Sequence, residues 1–121
     1  LKAYTSSMHA IFIELPAFAR HRDSYLNDDA YKAFQQMMLE QPESGDVIQG
    51  TGGLRKVRFE DKLRQKGKRG GLRVIYYWRS NESQFWLFTI YNKDELDNLS
   101  AKHRDLLKIA LANEIEKRNS K

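Results

Sequence analysis

The segment Phe85–Tyr91, FWLFTIY, constrains this chain more than any other. It is too short for an ordinary helix, and its aromatic and β-branched side chains favour a strand. A strand alternates its side chains between two faces, so a run this apolar is apolar on both. Such a strand belongs in the middle of a sheet. A second strand candidate, Leu72–Trp78 (LRVIYYW), precedes it, joined by the hairpin-like connection RSNES. A third, Leu54–Phe59 (LRKVRF), comes before that.

The flanks read differently. His9–Glu14 (HAIFIE) is a short strand candidate. Pro16 suits the first turn of a short helix, PAFARHRDSYL. Asn27 is a candidate N-cap for a second helix, with Asp28 and Asp29 in the first turn, where the helix dipole favours anions. Ala30, Tyr31, Phe34, Met37 and Met38 recur there at helical spacing, and Pro42 stops the run. Near the other end, Ser100 is a candidate cap, and Leu99, Leu106, Leu107, Ala110 and Leu111 form a stripe. The tail EIEKRNSK is expected to fray into solvent. The order strand, helix, helix, three strands, helix predicts an α+β fold with helices on one side of a small, mostly antiparallel sheet. Two N-terminal helices lie on one face, and a C-terminal helix completes the set.

The chain has 121 residues, enough for one domain, and 40% of them are hydrophobic, enough for a packed core. Residues 8–119 are expected to form that single domain and residues 1–7, LKAYTSS, a disordered or appended tail. There is no cysteine, which removes disulfides and thiolate chemistry and suits a cytoplasmic protein. No apolar run has the length of a membrane span, so no membrane partner is expected.

The formal net charge is +5, and its distribution says more than its size. Cations gather at Arg55, Lys56, Arg58, Lys62, Arg64, Lys66, Lys68, Arg69 and Arg73, interrupted by Glu60 and Asp61. A charge run is most often a solvated loop. Strand alternation separates this one into two parts. If Val57, Phe59 and Val74 face the helices, Lys56, Arg58 and Arg73 share the open face, with Tyr77 further along. The segment KLRQKGKRGG would overhang them. Clustered cations attract a polyanion, arginine grips phosphate bidentately, and Tyr77 and Tyr91 could stack on unpaired bases.

Other chemistries find little support. His9, His21 and His103 are far apart and lack metal-ligand spacing. GTGGLRK is glycine-rich but lacks the Gly-Lys-Ser/Thr of a phosphate loop and does not match the dinucleotide fingerprint. Asp46 stands alone in GDVIQG. No metal site and no cofactor is expected.

The combination GDVIQGTGGLRKVRF, KGKRGGLRVIYYW and FWLFTIYNKDE resembles the HigB branch of the RelE-type toxins of bacterial toxin–antitoxin systems, over about Ala10 to Lys117. The resemblance implies a RelE-like fold and a ribosome-dependent endoribonuclease that cuts mRNA without metal. It also implies a cognate HigA-type antitoxin as partner, with operator DNA met only through the antitoxin complex. Two family cations spaced by one residue match Lys56 and Arg58, and an arginine on the next strand matches Arg73. RelE carries a further arginine after the last strand and a tyrosine beyond it. Asp94 and Ser100 stand near those places here, with Lys93 as the nearby cation. Tyr91, Lys93 and the Lys66, Lys68, Arg69 loop are therefore the candidates for the remaining RNA- or ribosome-binding roles. ParE-like inhibitors of DNA gyrase share the fold class and form the alternative, and a passive nucleic-acid binder is the third reading.

Overall fold

The computed structural model describes residues 9–61, 65, 67, 71–96 and 98–120. Among these residues, five strands form one sheet: β1 (Ile11–Glu14), β2 (Asp46–Val47), β3 (Arg55–Phe59), β4 (Leu72–Arg79) and β5 (Gln84–Asn92). Three α-helices accompany them among the described residues: α1 (Pro16–Tyr25), α2 (Asp28–Glu40) and α3 (Ala101–Asn119). The strand order is β1-β5-β4-β3-β2, with β1 parallel to β5 and the other pairings antiparallel. Every strand expected from the sequence is present, and the doubly apolar β5 lies inside the sheet.

Local chemistry explains the helices. Pro16 opens α1, where its missing N–H costs nothing. The Asn27 side chain accepts a hydrogen bond from the Ala30 N–H at 2.8 Å, capping α2, and Asp28 and Asp29 fill the first turn. Ser100 caps α3 reciprocally: its Oγ accepts from the His103 N–H at 3.1 Å, and its own N–H donates to His103 Nδ1 at 3.2 Å. His103 is thus a structural cap on an exposed surface.

The first face of the sheet packs on α1 and α2. Val57, Phe59, Val74, Tyr76, Phe85, Leu87 and Ile90 meet Phe18, Leu26, Ala30, Phe34 and Met38 there. The second face carries another cluster: Leu54, Ile75, Trp86 and Phe88 against Leu111, with Leu99, Leu107 and Ile115 beside it. This corrects the expectation that all helices lie on one side, because α3 covers part of the second face. The periodicity of α3 identifies an apolar stripe but not the sheet face that receives it.

Two further differences have physical causes. The expected fraying of the tail EIEKRNSK does not hold for Glu114–Asn119, which are helical within α3; Lys121 lies outside the described residues. Arg118 donates to Glu114 at 2.7 Å and lies over the Trp86 ring at 5.2 Å, with Arg79 at the same distance from that ring. Cation–π contacts and an ion pair one helical turn apart hold the last turns. In the stripe, Leu111 is buried while Leu106 is 56% exposed. β2 has two residues, too few for a pattern to show in the sequence.

The β4–β5 ladder contains an irregularity. Ile75 pairs with Thr89 while Tyr76 pairs with Leu87, so Phe88 is an extra residue in the ladder. Trp86 and Phe88 face α3, and strict alternation would then send Tyr91 to the other face. The bulge returns Tyr91 to the second face, opposite Arg73.

Candidate functional site

β3 and β4 pair with Arg58 opposite Arg73, and β4 and β5 pair with Arg73 opposite Tyr91. The three side chains therefore form one cross-strand row on the second face, with paired Cα atoms about 5 Å apart. Lys56 stands two residues along β3 on the same face, opposite Asp46 of β2. Like charges directly opposite one another disfavour a sheet. The Arg58–Arg73 pairing is therefore an arrangement that packing alone does not favour.

Exposure divides these cations. Arg58 is exposed and Lys56 half-buried. Arg73 is 6% exposed, and its Nη1 donates to the Leu72 carbonyl at 3.2 Å. Arg73 is thus withdrawn from solvent, whereas its cross-strand neighbour Arg58 is exposed. Tyr91 is half-buried. Burial raises its phenol above the ordinary tyrosine value, and the nearby Arg73 charge opposes that shift.

A cavity of about 460 Å³ opens beside Lys56 and Arg58. Asp46 and Gln49 line it from the β2 region, and Asn98 and Arg104 from the start of α3. Leu99 separates it from an apolar groove of about 590 Å³, lined by Pro16, Ile75, Phe88, Tyr91 and Leu107 among others. Among the described residues, no three His, Cys, Asp or Glu side chains converge as a metal site.

Tyr77 lies four residues from Arg73, about 13 Å along the strand, and its ring packs on Trp86 at 5.1 Å. The structure does not bring it to the cationic row. Lys93 is exposed in the turn after β5, and its N–H donates to the Gly71 carbonyl at 3.1 Å. That turn is tied down by Glu95, which accepts from the Asn92 N–H at 2.9 Å and from the Tyr25 hydroxyl. Lys66, Lys68 and Arg69 lie outside the described residues. Sequence reasoning missed Arg104 and the Asp46–Lys56 pairing. Arg104 is far from the basic cluster in sequence, and β2 is too short to reveal its partner.

No protein-family model matches the chain. Among solved structures it is similar to the E. coli toxin RelE, a double arginine-to-alanine mutant in the free state. The TM-score is 0.51 at 12% identity, over 74% of this chain and 90% of that one. The fold is RelE-like. Coverage of nearly all of that structure means that the RelE-like core comprises most of the chain described above. The site just built sits on the second face of this RelE-like sheet, beside the start of α3. No helix among the described residues is long and apolar enough to cross a membrane.

Proposed function

We propose that the chain is the toxin of a type II toxin–antitoxin pair, a ribosome-dependent mRNA endoribonuclease neutralised by a cognate antitoxin of the HigA type. The observation that carries this reading is the Arg58–Arg73 cross-strand pair with Lys56 beside it. The three matched cations of the resemblance meet on one face. The RelE-like fold supports the same assignment.

The chemistry needs no group beyond RNA and side chains. The 2′-hydroxyl of the substrate gives up its proton and bonds to phosphorus. The bond from phosphorus to the 5′-oxygen breaks, and that oxygen takes a proton, leaving a 2′,3′-cyclic phosphate. Charge builds on the non-bridging oxygens during this step, where exposed Arg58 and half-buried Lys56 stabilise it. Lys56 and the Asp46 carboxylate across from it are the candidates for moving the proton. Arg73 acts from its buried position: it raises the local potential and positions Tyr91. The ribosome supplies orientation of the mRNA. The antitoxin presents an acidic or amphipathic segment to the basic face and carries the complex to its operator DNA.

One observation favours a second reading. The apolar groove beside the cations would suit a protein target, as for a ParE-like inhibitor of DNA gyrase. Induction in a bacterial host, with mRNA ends mapped, separates the two. The nuclease reading expects growth arrest with new mRNA ends, lost in Arg58→Ala and in Arg73→Ala. Arg58 is the cleaner probe because its side chain is exposed, whereas Arg73→Ala also removes buried packing. Growth arrest that persists in both variants with mRNA intact sinks the nuclease reading in favour of the gyrase reading. In purified form, cutting should require translating ribosomes; equal cutting of free RNA would contradict ribosome dependence.

A further inference from the structure

The cavity beside Lys56 and Arg58 takes its third cation from a helix. Arg104 lies in the fourth position of α3 and lines the same space. Its placement runs against the local preference of a helix. The first turn of α3 contains no acidic residue and instead carries the cations Lys102 and Arg104. The positive end of the helix dipole disfavours cations there. Departures from local rules concentrate at functional sites.

The geometry holds Arg104 in place and leaves it donors to spare. Its Nη1 donates to the Leu99 carbonyl at 2.9 Å, and its own N–H bonds to the Ser100 carbonyl at 3.0 Å. A guanidinium has five N–H donors. Among the described residues, the Leu99 bond is the one its side chain makes. The side chain is half-buried at the cavity that Lys56 and Arg58 also line. Among the described residues, three cations line this cavity against one carboxylate, Asp46. The charge excess exceeds what a single phosphodiester neutralises. Gln49 and Asn98 add amide donors and acceptors of the kind that read sugar hydroxyls and base edges. The volume, about 460 Å³, lies within the range of pockets that enclose small ligands.

We infer that Arg104 is a substrate-binding residue. It holds the phosphate next along the strand from the one gripped by Lys56 and Arg58, so the cavity seats a nucleotide of single-stranded RNA between two phosphates. The inference rests on the nuclease reading and extends the site from the sheet onto α3. The sheet cations address the reacting phosphate, and the helix cation sets the register of the strand.

The test measures binding of a short, uncleavable 2′-O-methyl RNA by fluorescence anisotropy across a salt series. The wild-type chain is compared with Arg104→Gln, Arg104→Lys and Arg58→Ala, and the thermal midpoint is recorded for each. Arg104→Gln should weaken binding about tenfold or more, the loss expected for a charge-assisted hydrogen bond. The slope of log affinity on log salt should become shallower by about 0.7, one phosphate contact on a single strand. Arg104→Lys should restore the slope while recovering only part of the affinity, because lysine cannot hold the Leu99 carbonyl and a phosphate in one planar fork. If Arg104→Gln weakens binding with the slope unchanged, the residue acts by holding the Leu99 turn, and the inference is overturned. The inference also fails, and the nuclease reading stands, if Arg58→Ala flattens the slope while Arg104→Gln does not. A wild-type chain that binds no oligonucleotide overturns the inference, whereas the nuclease reading falls only if induction leaves mRNA ends unchanged.

Discussion

On the first face of the sheet, Val57, Val74, Tyr76 and Leu87 meet Phe18, Phe34 and Met38 in continuous apolar packing. On the second, the same strands present Arg58, Arg73 and Tyr91 in one row, Lys56 opposite Ile75 in the next, and Trp86 and Phe88 where α3 packs. α3 covers the apolar part and stops at the cations, placing Arg104 at the boundary. A single strand such as β4 thus serves both purposes by alternation: Val74 and Tyr76 inward, Arg73 and Ile75 outward. The first face is specified by volume and the cationic part of the second by charge. They should respond to substitution in opposite ways.

Phe34→Ala should show the largest effect on stability. Phe34 is fully buried and meets Phe59 edge-on at 5.6 Å, so truncation should cost about 3–5 kcal/mol in urea unfolding. A cost below about 1 kcal/mol would mean that the first face is loosely packed. Leu111→Ala comes next. It removes the buried anchor of α3 and should cost about 2–4 kcal/mol, with faster amide exchange along α3 than along α2. Equal loss of protection in both helices would show that the two faces unfold as one unit.

Tyr76→Phe should cost about 1–3 kcal/mol. The Tyr76 hydroxyl donates to the Pro42 carbonyl at 2.8 Å and accepts from the Gly45 N–H at 3.1 Å. Gly45 itself has no room for a side chain, since a Cβ there would fall 2.9 Å from the Tyr76 ring. Burial raises the Tyr76 phenol above its ordinary value, as it does for Tyr91 and Tyr31, the last also because its hydroxyl donates to Glu14. The unfolded chain therefore releases these protons first. Their contribution is fully present below about pH 10 and lost as pH rises toward the folded values. Base titration of the wild-type chain should show stability falling above about pH 10, less steeply in Tyr76→Phe.

Arg58→Ala should have the smallest effect on stability, within about 0.5 kcal/mol, because the side chain is exposed. Removal of a like-charge partner of Arg73 can even stabilise the sheet. The same substitution should abolish mRNA cutting. A destabilisation above about 2 kcal/mol would show that Arg58 belongs to the scaffold.

The sequence disclosed the division of faces because alternation is strict in LRVIYYW and LRKVRF. It could not disclose which side of the sheet α3 would cover, since its leucines mark a stripe without an address. The Phe88 bulge was hidden for a related reason: FWLFTIY is apolar throughout, so nothing in its pattern marks the residue where the ladder slips. Arg104 was invisible because no local pattern links the start of α3 to β3. What joins them is the wall of one cavity.

The parallel pairing of β1 with β5 has a consequence for how the molecule comes into being. Ile11 is among the first residues of the sheet to be synthesised, yet its ladder partner is Gln84. Loop closure over such a span is slow, and local hairpins such as β4–β5 form earlier. During synthesis, β1 and its following helices must wait for a strand encoded well downstream of them. The first face therefore closes only after Arg58 and Arg73 have already been brought together by their own hairpin. A truncated chain ending before β5 would carry the basic residues but neither core, leaving no rigid surface on which to hold them.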